Sequence, residues 1–244
     1  FASWIEGLQV ALDWYEIKLD GAIATYGAQR LVTDCFNTKN ADICKLVERD
    51  PVSRQILRVL NINVNSGGAE TRGVDLELQY TAEPNFFSSQ EETFTIRGLV
   101  GYLGENSNTS SVGTTLDNAG SQERADVTGT VTANYNLGDF GFRLQANYYG
   151  DTLNENRTAG VNGNIAWIEG VDIDNTHIAS QTVTNFALSY GKDTANGGNW
   201  RTTFNITNLF DRDPPIIANA GGQVLSNSHD QFGRRYQLSL NMNF

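Results

Sequence analysis

The chain lacks any stretch able to cross a membrane as a helix. Its mean hydropathy is −0.37, and no run approaches ~18 consecutive apolar residues. That excludes a helical membrane protein. It does not exclude a membrane barrel, in which only alternate residues meet lipid. Basic residues are also few: 17 Lys and Arg against 28 Asp and Glu, a formal charge of −11. They are spread along the chain, so there is no basic patch for nucleic acid. Histidine is limited to His177 and His229, which fall in different polar stretches. Both read as solvated loop residues rather than metal ligands, and no catalytic constellation or cofactor signature stands out. Asp172 and Asp174 in GVDIDN alternate as calcium ligands do, but the rest of a calcium loop is missing, so the segment reads as an exposed acidic turn. Proline is scarce at 4 residues and glycine plentiful at 24. With Asn, Thr and Ser abundant in the strand-like runs, this suits antiparallel strands around a polar lumen with long polar loops. Residue 1 is Phe, and no charged-then-apolar leader is present. The expectation is a chain whose leader was removed, or a piece of a longer protein.

Cysteine is limited to Cys35 and Cys44, in DCFNTKNADIC. The surroundings are too polar for two buried free thiols, and a metal site would need further ligands nearby. A disulfide is favoured, which implies an oxidising compartment. Closing a loop of about 10 residues contributes roughly 2.5–3 kcal/mol on the chain-entropy model.

What the chain does have is alternation. In the closing run RYQLSLNMNF, Tyr236, Leu238, Leu240, Met242 and Phe244 are apolar and every residue between them is polar. A period of two gives a strand with one greasy and one wet face. About 10 residues at ~3.3 Å each, tilted ~45°, rise through the apolar band of an outer membrane. The row therefore reads as a closing transmembrane strand and its insertion signal. Similar rows start at Leu8, Val74, Phe94, Val127, Phe140, Phe186 and Trp200, which makes eight strands in all. No apolar row contains a charge. The opposite rows hold Asp13, Asp75, Glu77, Arg97, Arg143, Arg201 and Arg235. Trp14, Tyr80, Tyr102, Tyr148, Tyr190, Trp200 and Tyr236 sit at row ends, as aromatic girdles do.

The connections alternate in length. Short turns lie near 83–92, 138–139 and 191–199, and long ones span roughly 21–70, 105–124, 151–181 and 211–233. Short periplasmic turns opposite long outer loops are the outer-membrane pattern, which places residue 244 at the periplasmic rim. A soluble sandwich would instead bury the apolar rows against each other.

FNITNLFDRDPP (204–215) followed by DQFGRRYQLSLNMNF (230–244) resembles the carboxy-terminal end of TonB-dependent outer-membrane receptors. ALDWYEIKLDGAI (11–23) and ETRGVDLELQY (70–80) resemble two earlier strands of that family, and a cysteine pair in the loop between them also fits. The resemblance implies an all-β, antiparallel transmembrane barrel segment. Residues 1–244 would be about eight C-terminal strands of a roughly 22-stranded, plugged barrel, without the plug or the earlier strands. It further implies a non-enzymatic transporter in the outer membrane of a Gram-negative cell. Its ligand would be an iron–siderophore complex first, with cobalamin or an oligosaccharide as alternatives. Its partners would be outer-membrane lipid, the remaining strands and plug of the same receptor, and TonB through the amino-terminal part.

Recognition should sit in the loops. The side chains there able to stack or hydrogen-bond are Tyr26, Arg30, Phe36, Arg157, Trp167, His177, Asn219, Gln223 and His229. Arg97, Arg143 and Arg201 point inward to line the path or meet plug carboxylates. Asp211 and Arg212 are expected to pair with the GRR segment, and Gly73 and Gly98 to mark bends or close backbone approaches. Two other readings remain open at this point: a stand-alone eight-stranded barrel serving as adhesin or anchor, and a secreted β-rich binding domain.

Overall fold

The structure, a computed structural model, describes residues 5–21, 23–25, 27–65, 67–87, 90–109, 115–153, 177–194, 197–215 and 229–243. Strand makes up 62% of the described residues and helix 8%. In chain order, β1 (Leu8–Asp20) is followed by β2 (Ile23–Thr25), α1 (Ala28–Thr38), α2 (Ala41–Cys44), β3 (Val47–Arg49), β4 (Ile56–Val59) and β5 (Asn63–Asn65). Then come β6 (Gly68–Ala82), β7 (Glu92–Thr109), β8 (Thr115–Asp117), β9 (Val127–Leu137) and β10 (Phe140–Tyr149). The last are β11 (Thr152–Leu153), β12 (His177–Ile178), β13 (Gln181–Asp193), β14 (Asn199–Thr207) and β15 (Arg235–Asn243).

One antiparallel sheet carries the long strands in the order β1-β6-β7-β9-β10-β13-β14-β15, with β8 paired to β7. These are the eight strands that the alternation predicts. Each long strand neighbours the next in sequence, and the connections alternate as expected. Residues 83–91, 138–139 and 194–198 turn at one end of the sheet, while 21–67, 110–126, 150–180 and 208–234 connect at the other.

The sheet is curved, and its curvature has a sign. Side chains from all eight long strands line one concavity of about 780 Å³. A flat sheet would hold β1 and β15 roughly 34 Å apart at the ~4.8 Å strand spacing. Asp13, Asp75, Thr128, Thr130, Asn147, Gln181, Asn185 and Arg235 are among the lining residues, so the wet rows face inward. The greasy rows face outward and stay uncovered, with Leu12 69% and Leu238 72% exposed. The chain exposes 16272 Å², where a water-soluble fold of this mass shows about 10,800 Å². No second layer packs on the sheet among the described residues. The sheet is not closed: β1 and β15 each have one unpaired edge.

Register sorts the ring-bearing row ends into two bands. Trp14 lies opposite Val74, which lies opposite Tyr102, at the long-loop end. At the short-turn end Phe140 packs on Tyr190 at 4.6 Å and Tyr190 on Trp200 at 5.4 Å between ring centroids. Beyond Trp14 the convex row changes character. Glu16 and Lys18 follow it, and Lys18 reaches Glu16 at 2.6 Å and Glu70 at 3.5 Å. A bulge at Arg72/Gly73 shifts β7 by one residue, which re-aims its side chains and brings Glu105 to Arg72 at 2.9 Å. Gly73 is required there, because a Cβ would run into the Tyr102 carbonyl and the Tyr15 phenol. Gly98 shows no such approach, since a Cβ would meet only Val131 Cγ2 at 4.0 Å.

The first long connection is not a bare loop. The segment from α1 to β4 folds as a small cap around Leu31, Ile43 and Val47. Asn40 caps α2 by accepting from the backbone N–H of Asp42 at 2.9 Å, which satisfies an otherwise orphaned donor. β3 and β4 form a hairpin, with Arg58 forked onto Glu48 at 3.0 and 2.7 Å. The disulfide between Cys35 and Cys44 joins α1 to α2.

Candidate functional site

The concave face is built from transverse rows of side chains that strand pairing alone aligns. One row towards the long-loop end runs Asp13–Asp75–Gly101–Thr128–Tyr149–Gln181 across six adjacent strands. The next runs Ala11–Glu77–Leu99–Thr130–Asn147–Val183. Glycine at position 101 leaves a gap in the first row. Asp75 Oδ1 and Thr128 Oγ1 stand 3.1 and 3.6 Å from where a Cβ would be, so a bound molecule could approach the backbone there. Two carboxylates, Asp13 and Asp75, face each other directly across β1 and β6. Like charges placed so are destabilising in a sheet, and this geometry favours a ligand or partner that brings hydrogen-bond donors or positive charge.

Among the inward arginines, Arg97 is already engaged: its guanidinium reaches Glu77 on β6 at 2.6 Å. Arg201 donates to Ser189 Oγ at 3.4 Å. Arg143 lines a smaller hollow of about 340 Å³ with Gln145, Asn205 and Gln237.

At the outer rim, the segments after β14 and before β15 are knotted to β13. Gln181 donates to the Asp213 carbonyl at 3.2 Å, and its Oε1 accepts from Asp230 N–H at 3.2 Å. Asn208 is fully buried and brackets Arg212, accepting from its N–H and donating to its carbonyl, both at 2.9 Å. Asp211 accepts from Arg234 N–H at 2.8 Å and meets its guanidinium at 3.4 Å. These contacts hold the Asp211 carboxyl below its usual range. The expected latch with GRR is therefore made by Asp211, while Arg212 is held by Asn208.

Of the described loop residues singled out by sequence, His229 is the one that packs against the concave row, at Tyr149. It is 5% exposed, and its ring meets Tyr149 edge-on at 5.2 Å. Among the described residues neither ring nitrogen has a hydrogen-bond partner of good geometry. Burial lowers its pKa, opposed by the nearby Ala179 backbone. The expectation of a solvated histidine fails here, because the ring packs against Tyr149 of β10. His177 does sit in solvent, with Nε2 3.1 Å from Asp151 Oδ2. Arg30 belongs to the cap, 3.6 Å from Asp34, and Phe36 projects from α1 into solvent. Tyr26, Arg157, Trp167, Asn219 and Gln223, the Asp172/Asp174 turn and Phe244 lie outside the described residues. Tyr236, Leu238, Leu240 and Met242 form the exposed convex row of β15.

Sequence reasoning did not single out the row through Gly101, Thr128, Tyr149 and Gln181. Each residue was visible in a wet row, but their alignment depends on register between strands. Among the described residues, no group of three or more His, Cys, Asp or Glu could hold a metal ion. No described helix is long and apolar enough to cross a membrane, which says nothing of strands.

A polar concave wall and an uncovered apolar convex wall invert the arrangement of a soluble sheet. Comparison with protein families gives the matching description: TonB dependent receptor-like, beta-barrel, over residues 3–209. The chain belongs to this family. The match covers β1 through β14, so β15 is placed by its pairing with β14 rather than by the family. Comparison with curated proteins and with solved structures gave no match. TonB-dependent receptors are transporters rather than enzymes, which places the barrel wall in a Gram-negative outer membrane with lipid, plug and TonB as its partners in general terms.

Proposed function

We propose that this chain is the C-terminal part of the barrel of an active importer, and that the receptor takes up an iron–siderophore complex with energy delivered through TonB. The observation that carries the reading is the inverted wall: exposed apolar rows outside, polar rows inside. In this reading the two unpaired edges join the remaining strands of a roughly 22-stranded barrel, because unpaired backbone groups cost several kcal/mol each in hydrocarbon. The same open edges count against a self-closed eight-stranded adhesin or anchor. The plug and the segment that engages TonB belong to other parts of the receptor. His229 and the row from Asp13 to Gln181 contribute to the ligand path. Arg30, His177, Tyr26, Arg157, Trp167, Asn219 and Gln223 are the loop candidates for first capture.

A second substrate reading has its own support. The concave wall is rich in neutral Thr128, Thr130, Asn147, Gln181 and Asn185, which suits the hydroxyls of an oligosaccharide. The test is uptake by cells carrying the whole receptor as their sole importer. Accumulation of labelled ferric hydroxamate that stops when TonB is deleted supports the siderophore reading. TonB-dependent accumulation of a neutral oligosaccharide with none of the iron complex supports the second. Uptake of either that survives loss of TonB contradicts active import.

A further inference from the structure

The register places a carboxylate where a lipid-facing wall should have none. Glu92 opens β7 on the same parity as Phe94 and Ile96, so its side chain belongs to the convex face. It lies opposite Leu137, one row beyond the Phe94–Tyr135 pair. Yet it is 5% exposed. Two donors cover it: the Tyr135 hydroxyl donates a hydrogen bond to Oε2 at 2.7 Å, and the backbone N–H of Phe87 donates to Oε1 at 2.5 Å. The second contact ties Phe87, in the turn after β6, to a side chain of convex parity. The turn is braced further by Gln90 N–H on the Phe87 carbonyl at 3.1 Å and by Gly138 N–H on the Glu91 carbonyl at 3.0 Å.

Two phenylalanines of this turn stand exposed side by side. Phe86 is 77% and Phe87 55% exposed, at the end of the wall that also carries the Phe140–Tyr190–Trp200 ring row. Phenylalanine has no polar tip, so two exposed rings at a water-facing turn would be costly, whereas the acyl side of a headgroup region suits them. Glu92 adds no bare charge there, since both oxygens accept hydrogen bonds.

We infer that the turn between β6 and β7 is a membrane-inserting foot, with Phe86 and Phe87 seated in the phospholipid of the inner leaflet and Glu92 as the clasp that aims them. The occupant follows from continuity with the lipid-facing ring band, and the inference rests on the membrane reading of the wall.

The test is spin labelling of the whole receptor in vesicles of phosphatidylethanolamine and phosphatidylglycerol. Single labels go in through Phe86→Cys, Phe87→Cys, Leu240→Cys on the convex face and Gln79→Cys on the concave face. Collision with oxygen, which concentrates in lipid, is compared with collision with a water-soluble nickel chelate. The foot predicts that 86 and 87 favour oxygen, as 240 does, and that 79 favours nickel. Adding Glu92→Ala should shift 86 towards nickel, while Glu92→Gln, which keeps an acceptor for Phe87 N–H, should not. Nickel preference at both 86 and 87 with oxygen preference kept at 240 overturns the foot. Low collision with both reagents at 86 and 87 also overturns it, since a protein partner then covers the turn. Nickel preference at 240 sinks the membrane reading itself and the foot with it.

Discussion

The wall and the cap put the same side chains to opposite use. In the cap, Leu31 is 1% exposed and packs with Ile43 and Val47 beneath a polar surface. In the wall, leucines of equal hydrophobicity stand on the convex side and the polar residues are enclosed. The transfer of apolar area out of water drives both. The difference is what lies outside: water around the cap, acyl chains around the wall. The means of holding shape differ too. The wall relies on an unbroken ladder of backbone pairs, needed because hydrocarbon offers no alternative partner. The cap is too small to build much core and adds a disulfide.

The sharpest break of this contrast is in the cap's core. Leu31→Ala should destabilise the cap by about 2–5 kcal/mol, as buried leucine deletions do. It should leave the wall intact. Hydrogen exchange of residues 28–60 against β9 and β10 in the folded receptor reads the two separately.

Next comes a matched pair of exposed leucines. Leu238 in β15 and Leu57 in β4 are 72% and 67% exposed, so exposure alone predicts the same tolerance. Lipid contact predicts otherwise. Leu238→Lys should cost about 2–4 kcal/mol of barrel stability if it sits near mid-membrane, and Leu57→Lys within about 0.5 kcal/mol. Urea unfolding in vesicles measures both. Equal effects would collapse the distinction between wall and cap.

Reducing the Cys35–Cys44 disulfide should cost the cap roughly 2.5–3 kcal/mol on the chain-entropy model. Exchange should rise across α1 and α2 and stay unchanged in the long strands.

The smallest effects are acid-dependent and lie at the rim, where loop meets wall. His229 has a lowered pKa in the folded state. Above about 6.5, the ordinary histidine value, it is neutral folded or unfolded and adds no pH dependence. As pH falls below that, the unfolded chain takes the proton more readily, so the rim loosens. His229→Gln should remove this phase. Asp211 is also lowered, by the Arg234 backbone and guanidinium. Its contribution is complete above about 4 and is lost as pH falls through its folded value. Asp211→Asn should remove that second phase. Loop proteolysis followed from pH 7 to pH 3 separates the two.

Much of the wall was legible in the sequence because a period of two is local. Leu8 to Trp14 or Tyr236 to Met242 reveal their faces without reference to any other strand. Connection lengths then gave the order and the two ends. The cap was less legible. Its core residues, Leu31, Ile43 and Val47 with Val32, Cys35, Leu46 and Val59 around them, follow no single period and are split among two helices, a turn and a hairpin, so the stretch reads as one polar loop. The switch after Trp14 was missed because the outward face stays the same while its chemistry changes from lipid-facing to charged. His229 was identified as a ring of interest but placed in solvent, since nothing near it in sequence announces Tyr149.

The sequence by itself determined that these strands have one greasy and one wet side, because that pattern is written residue by residue. It also settled that they run back and forth with short and long connections in turn. Only the tertiary structure decided which side is concave, which residues share a row, and where the alignment slips at Arg72 and Gly73. Those depend on hydrogen-bond register and curvature, which are properties of pairs of strands and not of any one of them.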